Sequence, residues 1–487
     1  MDIVFINPGD RKQIYQNLEA DISAIEPPFL TASFAAFLRN KGFSVAIIDA
    51  QAENITPQEC ATKAKELNPL LVCVIVYGNQ PSASTQNMTI AGRICKELKE
   101  IGIDRVAIGG LHPSALPERT LKEEAVDFVI DGEEQEPLLG LLESFKYGKN
   151  LSEVPGIWRH DGDKIVHTAR APLAKNLDEV LPMAAWDLLP MDKYRAHNWH
   201  CFDDIQNRMP YAAVYTSLGC PYLCTFCCIN APFGKPGIRY RSPESVVDEL
   251  EFLATKYKVR NIKFADEMFV LDECHYMKIV DIIIEKKLNL NIWCYARVDT
   301  VKDENLVKMK KAGINWLALG IESANSDVRD GASKKMRVKD IEAVVRKIQD
   351  AGIRVIGNYI FGLPDDTLET MQETLDMAME LNCEFANFYC AMAYPGSKLY
   401  LDAIKNGWEL PHEWKDYSQH GYAMLPLPTK HISAKDVVKF RDNAFHKYFE
   451  NPKYLDMLER VFGKSARENV DFIAKIRLKR KVTEEVE

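Results

Sequence analysis

Short, nearly continuous apolar runs alternate with helical segments along most of this chain. Over the first 145 residues the runs read IVFIN (3–7), SVAIID (44–49), LLVCVIV (70–76), VAIGG (106–110) and DFVID (127–131). Between them helices are expected from near Pro27 and Pro28, around 57–67, over 86–101 and near 117–124. Proline suits a first helical turn, where the amide hydrogen would lack a partner anyway. Strands that are apolar on both faces and separated by helices predict a parallel sheet covered on both sides. A ligand in such a sheet sits at the carboxyl ends of the strands. Those ends read Asn7-Pro8-Gly9-Asp10, Tyr77-Gly78-Asn79-Gln80-Pro81-Ser82 and Gly109-Gly110-Leu111-His112-Pro113.

Residues 146–205 read as a connector, with a hairpin expected in PGIWRHDGDKIVHTA around the turn Asp161-Gly162. A second alternating series follows. AAVYTSLG, VRNIKFADE, NIWCYARV, NWLALGIES, RVIGNYIFG and FANFYCAMAY are its expected strands, and Ser242 caps its first helix. Six β/α units predict a partial barrel, short of the eight in a closed one. The expected organisation is α/β, with a Rossmann-like domain over 1–145, a linker over 146–205, the partial barrel over 206–400 and a helical C-terminal region over 401–487.

Of the 487 residues 47% are hydrophobic and 27% charged, which excludes a coiled coil, a collagen-like fibre and a disordered chain. A net charge of −9 argues against broad binding to DNA or to an anionic membrane. No run approaches the roughly 20 apolar residues that span a bilayer. The start MDIVFINPGD lacks the basic region and long apolar stretch of a signal peptide, so a cytoplasmic location is expected. In such a chain twelve cysteines point to metal or redox chemistry rather than disulfides.

Four of the twelve fall between Cys220 and Cys228. Cys220, Cys224 and Cys227 form a C-x3-C-x2-C loop directly after the first barrel strand. Structural zinc takes four protein ligands from paired sites, and no second pair follows here. Three thiolates on a [4Fe–4S] cluster leave one iron open to a non-protein ligand, and this reading is preferred to zinc. Cys228 reads as a small buried hydrophobe.

This loop, with Phe226 before its third cysteine, resembles the radical S-adenosylmethionine (SAM) superfamily. The resemblance implies a partial (β/α)6 barrel in which SAM chelates the open iron. Similar segments continue along the barrel at Tyr240-Arg241-Ser242, Ala265-Asp266-Glu267, Arg297, Gly320-Ile321-Glu322-Ser323, Gly357 to Pro364 and Tyr394 to Ser397. Asp266, Glu267 and Glu322 are candidates for the SAM ammonium or ribose, and Arg297 for its carboxylate. Structural ion pairs are the alternative. Gly357 and Gly362 would admit adenine, although glycine at a strand bend has the same signature.

The Rossmann-like half, with Gly109-Gly110-Leu111-His112-Pro113 and Asp131-Gly132-Glu133-Glu134, is similar to the cobalamin-binding (class B) members of that superfamily. The linker segments Pro155-Gly156-Ile157 and Trp186 to Pro190 are similar as well. The Asp-x-His-x-x-Gly signature, whose histidine ligates cobalt, is absent from the first 150 residues, so a corrin without a histidine ligand is implied. Cobalamin contacts are expected from Asn7, Pro8, Tyr77, Gln80, Ser82, Gly109, Gly110, His112, Gly132 and Glu133. A capping histidine is the alternative for His112.

The implied cofactors are a [4Fe–4S] cluster, SAM and cobalamin. The implied activity is methylation of an unactivated carbon through a 5′-deoxyadenosyl radical and methylcobalamin. A non-methylating rearrangement, ring contraction or cyclisation is the alternative, and a non-catalytic sensor is a distant third. A small-molecule or peptide substrate and an external electron donor such as flavodoxin or ferredoxin are implied partners. Trp199, His200, Tyr295 and Tyr389 are candidates for the substrate pocket, with simple packing as the alternative.

Overall fold

The computed structural model describes residues 1–9, 16, 23–78, 80–336 and 338–484. The N-terminal strands β1 (Ile3–Asn7), β2 (Val45–Asp49), β3 (Leu71–Val76), β4 (Val106–Gly110) and β5 (Phe128–Ile130) form a parallel sheet in the order 2-1-3-4-5. Alternate residues serve opposite faces. Ile3, Phe5, Cys73 and Ile75 join the large core shared with the barrel, while Val4, Ile6, Val72, Val74 and Val76 build a separate core on the other side. That double burial is why these strands read as continuous apolar runs. The hairpin expected in the connector, β6 (Ile157–Asp161) and β7 (Lys164–His167), pairs antiparallel with β5 and extends the sheet to seven strands.

The second sheet contains β8 (Tyr211–Val214), β11 (Asn261–Phe264), β12 (Asn291–Arg297), β13 (Ile314–Glu322), β14 (Arg354–Phe361) and β15 (Phe385–Cys390). These six strands are parallel and consecutive, an open half-barrel. The strand expected over AAVYTSLG departs from this plan. It breaks after Val214, and Ser217–Cys220 (β9) leaves to pair antiparallel with Gly237–Tyr240 (β10).

An open barrel has an edge strand with unpaired backbone groups. Here the C-terminal region covers it. Gln419 donates to the Cys390 carbonyl and accepts from its amide, both at 2.9 Å. Arg441 on α1 (Ala434–Phe449) donates to Phe388 O at 2.7 Å. Tyr448 on the same helix reaches Cys383 O at 2.6 Å, and Tyr454 on α2 (Pro452–Phe462) reaches Glu384 O at 3.1 Å. The helix α3 (Lys464–Ala474) completes the cover. Among the described residues no helix is long and apolar enough to cross a membrane.

The connector is fastened to the barrel through one carboxylate. Glu249 accepts from the Ala184 amide and the Trp186 indole, each at 2.8 Å, and pairs with Arg241 at 2.8 Å. Both charged side chains are fully buried. Removing one partner of such a pair strands the other charge and costs about 3–5 kcal/mol. Glu249→Ala is therefore expected to lower the urea midpoint markedly, and Glu249→Gln, which keeps an acceptor for Ala184 and Trp186, to lower it less.

Candidate active site

The cysteine loop owes its position to Asp266, at the end of β11. This buried carboxylate accepts from the Thr216 amide at 2.6 Å, the Thr216 hydroxyl at 2.5 Å and the Ser217 hydroxyl at 2.8 Å. Those bonds hold the residues at which β8 stops and the β9–β10 ribbon begins. The loop leaving the ribbon is pinned again at Thr225, whose amide donates to Ala332 O at 3.1 Å and whose carbonyl accepts from Leu399 N at 2.9 Å. Arg297 lies 4.1 Å from the ring centre of Tyr222, within the loop, and is held by Asp299 at 2.9 and 3.0 Å.

Cys220, Cys224 and Cys227 are unbridged and line a single cavity of about 250 Å³ together with Glu267, Arg297 and Glu322. Burial raises all three thiols, Cys220 to about 11. Among the described residues no three His, Cys, Asp or Glu side chains converge as a single metal ion requires. Three thiols spread around one cavity fit a larger iron–sulfur cluster better than zinc. Cys228 also borders the cavity but is 2% exposed and packs near Gly396.

Of the barrel residues expected at the site, Glu267, Arg297 and Glu322 face this cavity. Burial lifts Glu267 to about 7. Glu322 sits at a register shift of β13 with a left-handed φ of 65° and pairs with Lys334, which lines the same cavity. A bulky residue held left-handed at a strand end is strained, and such strain persists where the surroundings impose it. Sequence reasoning missed Lys334; nothing in its local pattern marks it.

Asp266 is not free for a cofactor, because its carboxylate is spent on Thr216 and Ser217. The two glycines also answer to packing. A Cβ on Gly357 would lie 2.7 Å from the Tyr359 ring. Gly362 has a φ of 79°, and its Cβ would meet Val437 of α1 at 2.6 Å.

The carboxyl ends of β3, β4 and β5 face the barrel mouth across a cleft bordered by Tyr77, Gln80, Leu111, Glu133 and Glu134 on one side and Ser217, Gly219 and Glu267 on the other. Ser82 lies farther in, on the cysteine cavity. Tyr77 donates to Glu134 at 2.8 Å. Glu133 receives Arg239 of β10 at 2.6 and 3.0 Å and the Ala174 amide at 3.0 Å, which ties the first sheet to the β9–β10 ribbon and the connector. The lining is largely apolar; of its three carboxyl groups Glu133 is paired with Arg239, and burial raises Glu134 and Glu267 toward their neutral forms.

Other expected contacts have structural duties. Asn7 donates to Asp49 at 2.8 Å and borders a smaller neighbouring cavity, and Pro8 is buried. Gly110, with a φ of 129°, would drive a Cβ to 2.2 Å from Val76 O, and a Cβ on Gly109 would lie 3.2 Å from Glu134. Gly132 donates its amide to Ser114 at 3.2 Å. His112 is neither a cleft contact nor a turn cap but a packed residue. It is 1% exposed, meets Trp414 edge-on at 4.5 Å and Thr85 at 3.2 Å, and burial holds it neutral, down to about 3. It borders neither cavity.

Fold and site together define a cofactor enzyme that works between the carboxyl ends of two parallel sheets. Residues 214–378 match the radical SAM superfamily and residues 20–142 the B12 binding domain. An uncharacterised methyltransferase of Pyrococcus horikoshii is 30% identical over 431 residues, covering 88% of this chain and 89% of that one. The anaerobic magnesium-protoporphyrin IX monomethyl ester cyclase of Cereibacter sphaeroides is 26% identical, covering 92% and 70%. The structure of TsrM, a radical SAM methyltransferase from Kitasatospora setae with cobalamin and a [4Fe–4S] cluster bound, superposes with a TM-score of 0.67 at 19% identity, covering 83% and 75%. The chain belongs to the cobalamin-binding radical SAM family. Its cofactors are accordingly a [4Fe–4S] cluster, SAM and cobalamin.

Glu134 was visible in the sequence only as part of Asp131-Gly132-Glu133-Glu134. Burial raises its carboxyl to about 8, against 4.5 for a free glutamate. The folded chain therefore keeps a proton that the unfolded chain releases, and stability falls as pH rises from about 4.5 through about 8. Glu134→Gln is expected to flatten that part of the fall, read from denaturant midpoints across the range.

Proposed function

We propose that the chain is a methyltransferase acting on an unactivated carbon of a small-molecule or peptide substrate. The observation that carries this reading is that the cysteine cavity and the cleft at the carboxyl ends of the first sheet share walls. Gln80, Pro81, Ile229 and Glu267 border both. A substrate carbon held at this junction is within reach of both cofactor sites.

When bound, the cluster with SAM supplies a radical able to take hydrogen from such a carbon, and cobalamin supplies the methyl group. The protein positions and shields. Cys220, Cys224 and Cys227 would hold the cluster. Arg297, fixed by Asp299 and Tyr222, would take the SAM carboxylate, and Glu322 its ammonium or ribose. Lys334 must then yield part of its hold on Glu322. The cleft side of cobalamin would rest on the loop from Tyr77 to Ser82. The C-terminal region, closed over β15, keeps water from the open side of the half-barrel.

The likeness to a cyclase favours one second reading, a non-methylating ring closure with the same cofactors. Anaerobically reconstituted protein separates the two. Methylation is expected to give S-adenosylhomocysteine and 5′-deoxyadenosine together with product, whereas ring closure would give only 5′-deoxyadenosine. Cys224→Ala should lose 5′-deoxyadenosine formation, at least 100-fold, and Cys228→Ala should keep it. Unchanged SAM cleavage in Cys224→Ala would overturn the cluster assignment.

A further inference from the structure

Behind the cysteine cavity lies a second chamber of about 210 Å³. The two share Tyr295, Asn358, Tyr389, Tyr394 and Gln419, so the chamber adjoins the proposed radical site. Its inner wall is aromatic. Trp199 from the connector meets Trp293 of β12 edge-on at 5.1 Å and stacks on Phe385 of β15 at 5.8 Å. Three of the four expected pocket residues, Trp199, Tyr295 and Tyr389, line it. His200 does not; it is 1% exposed, beside Asn291 O at 3.0 Å.

The charges of the described residues that line this chamber are one-sided. Among the described lining residues there is no carboxylate, while Lys263 and Arg441 are both present. Lys263 is offset by Glu26 at 3.0 Å. Arg441 is offset less fully. It shares Asp442 with Arg480, at 2.8 Å and 2.9 Å, so two buried arginines stand against one aspartate. Arg441 spends Nε on Phe388 O and Nη1 on Asp442, and its Nη2 has no hydrogen bond among the described residues. His420, beside them on the chamber wall, adds no negative charge; burial and the two arginines hold it neutral. Arg441 lines the chamber, and a carboxylate or phosphate oxygen is the best complement for a guanidinium nitrogen left open there. Aromatic walls favour a flat ring between them.

Building on the methyltransferase reading, we infer that this chamber is the substrate site and takes a planar aromatic or conjugated acid. Its anionic group meets Arg441 Nη2, and its ring lies along Trp199, Trp293 and Phe385. The carbon to be changed points past Tyr295 and Tyr389 toward the cysteine cavity.

The test is calorimetric binding to the cluster- and cobalamin-loaded protein, with 1-naphthoate and its neutral counterpart 1-naphthalenemethanol as probes. Naphthoate is expected to bind one per chain and at least tenfold more tightly than the alcohol. Arg441→Gln should erase that preference and leave the alcohol's affinity unchanged, with cluster and cobalamin contents as controls for folding. Equal affinity of the two probes for the wild type, or a preference that survives Arg441→Gln, would overturn the inference. The wild-type comparison decides even if the variant does not fold. Because neither probe reports on SAM cleavage, a failure here leaves the reaction class untouched, and a failure of methylation leaves this binding result standing.

Discussion

Everything at this site hangs from a carboxylate that does no chemistry. Asp266 takes hydrogen bonds from Thr216 and Ser217 just where β8 ends, and so prevents the first barrel strand from running on. The chain instead turns into the β9–β10 ribbon, whose end carries the three cysteines to the mouth of the half-barrel. Burial this deep raises the Asp266 carboxyl, and the hydrogen bonds from Thr216 and Ser217 oppose that rise. The same bonds that stabilise Asp266 therefore fix the geometry of the loop.

A second set of polar contacts sets the N-terminal sheet against the barrel. Arg239 meets Glu133 and Lys263 meets Glu26 across that boundary, and Arg170, held by Asp131 on its own side, donates to Ala231 O at 3.0 Å. The connector adds Tyr194, which donates to Asp49 at 2.7 Å. The Lys263–Glu26 pair is buried and the other two ion pairs are partly exposed; such pairs contribute little net stability compared with apolar packing. Their service here is orientation. They hold the carboxyl ends of the two sheets face to face, so that a cleft and a cavity with shared walls lie between them.

The residues that were legible in advance and those that were not differ for a physical reason. Cysteines at a fixed spacing in a large chain have few other uses, and polar residues at the carboxyl ends of barrel strands are placed by the pleat. Glu267, Arg297 and Glu322 were readable on that basis, and all three border the cavity. Asp266, next to Glu267, was not, because adjacent residues at a strand end point in opposite directions. Gly357, Gly362 and His112 carried patterns that packing explains equally well, and packing is what the structure shows. Lys334 and Arg441 left no trace in local sequence. Each matters through a partner or cavity wall that is distant along the chain.

The sequence by itself determined the succession of elements, because apolar runs of strand length between helices can hide both faces only in covered parallel sheets. It also determined the position of the cysteine loop after the first barrel strand. Tertiary structure alone decided that this strand breaks, that the connector hairpin joins the first sheet, and which side chains of the C-terminal region bind the open edge of the half-barrel. It decided too which charges face the cavities and which are spent on neighbours. Periodicity is a local property that the chain carries in its order. The pairing of Asp266 with Thr216, or of Arg441 with Asp442 and the chamber, exists only once distant strands and helices have packed.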